Sequence, residues 1–261
     1  MIPKTIHYCW FGRGPKSPLI LQCIESWKKY CPDYQIIEWN ETNFDIEQNQ
    51  YVKEAYEKKK WAFVSDYVRL VALYKMGGVY LDTDCELLQN IDSFLEEDGV
   101  VTGYQEEVSI PAALMIASKE NPWIKVMIDY YLDRHFVNSN GKMDLTTNSS
   151  IITALSIKRF GFEIGDEHIP FGNVKLYPTV YFAPIAKKKK SGQDKNLSVF
   201  VIDPERTYAI HYGTATWKAK TFGGTIKAAL VRVARLLVGP KVYTRIKARI
   251  LRKKYLKMRL D

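Results

Sequence analysis

The sequence predicts an α/β domain built on a largely parallel sheet, and three observations carry that reading. Apolar segments at Lys4–Trp10 and Gln35–Trp39 flank a helical pattern at Leu19–Tyr30, the β-α-β order of parallel neighbours. A second alternation follows, with a helical pattern over Trp61–Met76, a Gly77-Gly78 stop and the short apolar run Val79-Tyr80-Leu81. Strands and helices alternate early and become more mixed later, while 46% hydrophobic and 26% charged residues in 261 describe an ordinary globular chain able to bury one substantial core.

Taken in order, Gly12–Pro18 reads as a loop and Asn49–Lys60 as a polar helix. In the next helix Trp61, Val64, Val68, Val71 and Ala72 recur at three- and four-residue steps and form one apolar face, with Ser65, Asp66 and Arg69 grouped on another. Val79–Leu81 is too short and apolar for anything but a buried strand. Gly99–Tyr104 and Ala112–Ala117 read as strands, Asn121–Phe136 as a helix opening Asn-Pro, and Asp144–Phe160 as another helix. Val174–Pro178, Phe182–Pro184 and Tyr208–Tyr212 are expected to be short strands, and Lys187–Lys190 a solvated loop. No internal repeat is evident.

The chemistry concentrates where the third strand runs out. Asp82 and Asp84 are two residues apart, so in extended chain both carboxylates face one ligand. Two hard anionic oxygens at the end of a buried strand suit a divalent cation, which can in turn hold a diphosphate. An isolated Asp-x-Asp also occurs in solvated turns, so its context decides. Ser65-Asp66, Arg69, Tyr74, Gly77-Gly78, Val79-Tyr80-Leu81 and Asp82-Thr83-Asp84 follow one another in a long composite pattern.

In order and spacing this pattern resembles the DXD sugar-binding region of glycosyltransferase family 32, with bacterial capsular-polysaccharide transferases and fungal mannosyltransferases among its members, and it is distantly similar to clostridial glucosylating toxins. The opening Ile2–Gly12 resembles the family's first strand, whose end cradles the nucleotide base. His211-Tyr212-Gly213-Thr214-Ala215-Thr216-Trp217 resembles its closing His…Ser-Trp element, with Thr216 in place of the usual Ser. The likeness spans about residues 1–217, least diagnostically between Glu106 and Pro204. It implies a GT-A nucleotide-sugar-binding fold with a Rossmann-like mixed sheet, and an enzyme that transfers a hexose or N-acetylhexosamine with retention from a nucleotide sugar, UDP-linked by preference, to a glycan acceptor.

For the residues, the resemblance implies that Asp82 and Asp84, with His211 completing the set, hold Mn2+ or Mg2+. Asp66 and Arg69 would hold the donor sugar's hydroxyls, where residues alone allow an ordinary i, i+3 ion pair. Tyr8, Trp10, Ser65, Gly78, Thr83, Thr216 and Trp217 complete the donor site, with Trp10 stacked on the base and the Thr216 hydroxyl and Trp217 N–H on the diphosphate. Trp10 and His211 also read as core side chains, and Asn148, in Thr146–Ser150, as a pocket amide or a helix N-cap, the cap being preferred.

The +9 net charge is uneven. Residues 218–261 hold 14 Lys or Arg against one acid, hence +13, which leaves 24 basic and 28 acidic residues, −4, in residues 1–217. That asymmetry predicts a catalytic domain over 1–222 and a basic amphipathic helical tail over 223–261 that meets an anionic membrane surface. Within it, Ile226, Leu230, Val233 and Leu237 would share one face, and Tyr243–Leu260 would follow as a helix basic nearly all round; packing of that helix on the body is the plainer alternative, and nucleic acid an unlikely partner. The absence of a bilayer-length apolar run or signal-peptide pattern, and four cysteines without paired spacing, suggest a cytoplasmic protein, peripheral on the inner face of a bacterial inner membrane. There a polyprenyl-diphosphate-linked glycan would be within reach as acceptor. A non-catalytic adaptor and a nucleotide-sugar hydrolase are the rival readings; an adaptor has no need of the composite pattern, whereas a hydrolase needs the same donor site.

Overall fold

The computed structural model describes residues 1–105, 108–164, 171–184, 186–188, 198–214 and 238–260. Its main sheet has six strands: β1 (Thr5–Cys9), β2 (Gln35–Trp39), β3 (Gly78–Leu81), β5 (Val100–Gly103), β6 (Leu114–Ala117) and β7 (Val174–Tyr177). They lie in the order β2-β1-β3-β6-β5-β7. β1 pairs in parallel with β2 and β3, β5 pairs in parallel with β7, and β6 is antiparallel to both of its neighbours. The reversal follows from chain length: the segment between β5 and β6 is too short to hold a crossover helix, so the chain doubles back.

Each face of the sheet is covered. Helices α2 (Gln50–Glu57), α3 (Trp61–Met76), α4 (Pro122–Asp129) and α5 (Asn148–Phe160) bury one apolar cluster, from Cys9 and Val64 to Trp123 and Ile152. Helix α1 (Pro18–Tyr30) covers the other face, where Ile6, Tyr8, Trp27, Val79 and Leu81 meet. This mixed α/β sandwich fits the GT-A architecture expected.

Helix α3 sits at the centre. The expected two-faced pattern gives way to burial on nearly every side, Phe63, Tyr67, Leu70 and Leu73 joining Val64 and Val68 in the core. Its C-cap is Gly77 at φ +69, and Gly78 follows at φ +103 to open β3. The Gly77 carbonyl accepts from His7 Nε2 at 2.9 Å, while Trp39 Nε1 donates to His7 Nδ1 at 3.2 Å. This fully buried histidine is held neutral, its pKa lowered by burial. A Cβ on Gly78 would lie 2.6 Å from the Thr5 carbonyl oxygen. Gly78→Ala therefore combines backbone strain with a clash against a neighbouring strand, and should cost about 3 kcal/mol or more in urea unfolding. A loss under about 1 kcal/mol would mean that β1 and β3 can separate freely.

Several boundaries differ from expectation. The strand expected at Phe182–Pro184 is instead the end of a short helix, α6 (Thr179–Phe182), started by Pro178 with φ −51. The lysine loop begins as strand β8 (Ala186–Lys188), paired antiparallel with β9 (Ser198–Phe200). The helix expected over Asn121–Phe136 ends as α4 at Asp129, and α5 starts at Asn148 because Thr147, not Asn148, is its N-cap. Strand β4 (Cys85–Leu87) has no forerunner in the sequence reading; it pairs with β10 (Ala209–His211) in a separate ribbon. The interfacial helix expected over residues 225–238 lies, but for its last residue, outside the described residues, as does the 222/223 domain boundary. Helix α7 (Pro240–Lys257) packs on the body against α5. No helix among the described residues is long and apolar enough to cross a membrane. Cys9, Cys23, Cys31 and Cys85 are buried free thiols.

Candidate active site

A cleft of about 520 Å³ opens at the C-terminal ends of β1 and β3, lined by residues from Cys9–Gly12, α3, the end of β3, Ala112-Ala113, the start of α5 and the end of β10. Its centre is the turn after β3. Asp82 N donates to the Ala113 carbonyl at 2.7 Å and Cys85 N to the Asp82 carbonyl at 2.9 Å, so Asp82–Asp84 is a turn and not extended chain. The two aspartates therefore converge through turn geometry, not strand alternation, and the third partner comes from β10. Register pairs His211 with Cys85, which brings the imidazole over the turn.

In each aspartate one oxygen is anchored to the protein. Asp82 Oδ1 accepts from Tyr80 Oη at 3.0 Å and sits 3.0 Å from Arg69 Nη1. Asp84 Oδ2 accepts from Thr214 N at 2.8 Å and Thr214 Oγ1 at 2.9 Å. The other oxygens turn to His211: Nε2 lies 3.3 Å from Asp84 Oδ1 and 4.0 Å from Asp82 Oδ2. Ligand atoms of Asp82, Asp84 and His211 lie within 4.8 Å of one another. Two carboxylates and an imidazole with free donor atoms at this spacing fit a divalent cation such as Mn2+, and the imidazole suits Mn2+ better than Mg2+. Burial opposes ionisation of Asp84, but His211 and Thr214 outweigh it and hold the carboxyl down at about 2. Burial likewise opposes the charged His211, and the two aspartates raise its pKa overall.

Arg69 joins this turn to α3. It is 4% exposed and donates Nε to the Ser65 carbonyl at 3.1 Å and Nη1 to the Ala112 carbonyl at 2.8 Å, with Nη2 3.0 Å from Asp66 Oδ1. Its guanidinium also stacks over the Tyr80 ring at 4.7 Å. The pair, which the resemblance assigns to the donor sugar and the residues alone allow as an ordinary i, i+3 ion pair, is thus part of a largely buried three-residue network, Asp66–Arg69–Asp82. Burial raises the Asp66 pKa to about 7 against the pull of Arg69. A raised carboxylate pKa contributes stability that is complete below the unfolded value near 4 and is lost as pH rises towards 7. Asp66→Asn should remove that component: the wild-type-minus-variant difference in thermal midpoint should shrink from pH 4 to pH 7. A difference independent of pH would place the Asp66 titration outside this window.

Beside Asp66 lies Asn148, 3% exposed, whose Nδ2 donates to Tyr131 Oη at 2.8 Å and to the Asp66 carbonyl at 3.4 Å. Its Oδ1 is buried in the cleft wall and accepts no hydrogen bond among the described residues. This is the pocket amide, the less favoured of the two sequence readings.

The other expected residues divide. Trp10, Ser65 and Thr83 line the cleft, Trp10 with Nε1 on the Gly14 carbonyl at 2.8 Å and Ser65 with Oγ on the Trp61 carbonyl at 3.0 Å. Tyr8 does not reach it. Strand alternation turns the ring to the opposite sheet face, edge-on to Trp27, with its hydroxyl on Glu38. Gly78 is also absent from the lining; it is buried against Thr5. Thr216 and Trp217 lie outside the described residues. Sequence reasoning missed Tyr80 and Thr214. Tyr80 had a usable signal, two residues before Asp82 on a strand, whereas Thr214 acts across 130 residues.

Residues 18–101 match the family model described as "Glycosyltransferase sugar-binding region containing DXD motif". An uncharacterized protein of Arabidopsis thaliana is 38% identical over 86 residues, which cover 32% of this chain and 13% of that protein. Among solved structures, the PaToxG glycosyltransferase shares 19% identity over 60% of this chain and 68% of its own, with a TM-score of 0.49. A glycosyltransferase involved in glycosylation of the major capsid of PBCV-1 shares 13% identity over 81% of this chain and 94% of its own, with a TM-score of 0.42. The stretch from α1 into β5, which holds Asp66, Arg69, Asp82 and Asp84, is thus the part of the chain that is similar to a DXD-type glycosyltransferase sugar-binding region.

Proposed function

We propose that this protein is a metal-dependent, retaining glycosyltransferase of the family 32 type. It moves a hexose or N-acetylhexosamine from a UDP-linked donor to a glycan acceptor, carried on a polyprenyl diphosphate, in surface polysaccharide synthesis at the cytoplasmic face of a bacterial inner membrane. The observation that supports this reading best is the pairing, in one cleft, of the Asp82–Asp84–His211 cluster with the unsatisfied Asn148 acceptor beside Asp66.

Each end of the cleft has a chemical role in this reading. Held by Asp82, Asp84 and His211, a divalent cation would supply Lewis acidity to offset charge gathering on the departing diphosphate. Asn148 Oδ1 and the Asp66 carboxylate accept hydrogen bonds from sugar hydroxyls, which replaces the partner that the buried amide oxygen lacks. Arg69 contributes mainly by fixing Asp66 and Asp82, since the protein already engages most of its N–H groups. Trp10 offers its ring to the base, and the Thr216–Trp217 segment is assigned to the diphosphate. Retention follows from front-side attack by the acceptor hydroxyl, whose proton passes to the leaving phosphate.

The test is a donor screen with Mn2+, reading nucleoside diphosphate release with and without lipid-linked acceptors. Acceptor-dependent release supports transfer, while equal release without acceptor makes the protein a hydrolase. In titration calorimetry UDP should bind, and Trp10→Ala should weaken it by about tenfold or more through lost stacking. Tighter binding of GDP would overturn the uridine assignment. Asn148→Ala should weaken the UDP-sugar and leave UDP itself unchanged; equal effects on both would remove Asn148 from the sugar subsite.

A further inference from the structure

Helix α7 has two faces of opposite character. Inward, Ala248 and Tyr255 are each 5% exposed, and Leu251 and Met258 pack against the main apolar cluster. Lys158 Nζ on α5 donates to the Met258 carbonyl at 2.6 Å, and Tyr255 hydrogen-bonds Ser150. The inner face thus accounts for how the helix is held.

Outward lies a row at four-residue steps, Val242, Ile246 and Ile250, at 47%, 46% and 63% exposure. Arg245, Arg249 and Lys253 form an adjacent, equally spaced row, also exposed. No acidic residue falls between Pro240 and Lys257. Aliphatic side chains left in water beside a cationic row fit neither internal packing nor an ordinary solvated face.

We propose that the outer face of α7 lies on an anionic lipid surface, with Val242, Ile246 and Ile250 in the headgroup–acyl boundary and Arg245, Arg249 and Lys253 on the lipid phosphates. Interfacial helices combine these two rows. A second copy of the chain fits poorly, because a self-complementary contact would bring like charges together. Nucleic acid would use the basic row and leave the aliphatic one unexplained. Docking has a geometric consequence that rests on the transferase reading. Helix α7 is fixed to α5, whose first residues line the cleft, so the membrane contact would fix how the cleft approaches a lipid-linked acceptor.

Flotation of the full chain tests the docking independently of activity. At low salt the protein should float with vesicles of phosphatidylglycerol and phosphatidylcholine and remain behind with phosphatidylcholine alone. Arg245→Gln/Arg249→Gln/Lys253→Gln and Ile246→Gln/Ile250→Gln should each lower the partition coefficient by about tenfold or more. Circular dichroism melts should match wild type, since both sets of side chains point away from the body. Wild-type protein that stays soluble, floats equally with neutral vesicles, or loses nothing in either variant overturns the proposal. Retention of a labelled RNA oligonucleotide without flotation, or dimerisation that Ile246→Gln/Ile250→Gln abolishes, also overturns it. UDP titration of the same samples separates this outcome from a failure of the donor site.

Discussion

Asp84→Asn should reduce Mn2+-dependent turnover by about 10²–10³-fold, the range seen when one group that stabilises developing charge is removed. Asp84 Oδ1 faces His211, and Oδ2 is held by Thr214 N and Oγ1. An amide in that position either turns its NH2 towards two donors or towards the cation. Asp82→Asn should behave similarly, since Arg69 and Tyr80 occupy the anchored oxygen of that carboxylate. EDTA should silence the wild type and Mn2+ restore it, and Mn2+ titration by paramagnetic resonance should show binding lost in both variants. A control comes from stability. The depressed Asp84 pKa contributes stability that is present above about pH 4 and lost as pH falls towards 2, so wild type should lose more than Asp84→Asn over that window. Full turnover in either variant, or unchanged Mn2+ binding, would sink the metal assignment.

Arg69→Ala should be the most destabilising single change in the cleft, at about 3–5 kcal/mol. The guanidinium is 4% exposed and lies 3.0 Å from both Asp66 and Asp82, so its removal leaves the half-buried Asp82 without a counter-charge and the buried Asp66 with an unsatisfied carboxyl group. The Ser65 and Ala112 carbonyls lose donors as well. Arg69→Ala combined with Asp82→Asn should recover part of the loss, because Asp66 takes up a proton once the cation is gone and Asp82 is the charge left stranded. Urea unfolding of the four-variant cycle measures this directly. A single-variant cost under about 1 kcal/mol would make the network an ordinary exposed pair. If the double variant is no more stable than Arg69→Ala, Asp82 is not a stranded charge.

The local half of this molecule was legible because short-range rules govern it. The β1–α1–β2 unit follows from hydrophobic patterning, although α1 starts at Pro18, which the sequence reading places in the loop, and α3 with its Gly77-Gly78 stop follows from residues within two turns. The burial of β3 followed from its composition, which delivered Asp82 and Asp84 to a strand end. Asp66 and Arg69 shared a helix face by spacing alone. Tyr8 was misplaced because the resemblance, not alternation, put it at the donor; the strand turns it to Trp27.

Tertiary structure decided the rest, and the common reason is sequence distance. His211 joins the two aspartates in the sequence reading only through the resemblance; pairing of β4 with β10 is what sets it and Thr214 beside them, across 130 residues in the case of Thr214. The resemblance assigns Arg69 with Asp66 to the donor sugar, and only its burial, with the Ala112 carbonyl and Asp82 as partners from outside its helix, makes its hydrogen bonds obligatory. Asn148 reads as a cap because Asn is a favoured N-cap residue; in the structure Thr147 takes that place one residue earlier, and packing against Tyr131 buries Asn148. The basic character of α7 was fixed by composition. Which of its sides is covered depended on α5, because a helix with cations nearly all round has no apolar stripe strong enough to name its own inner face.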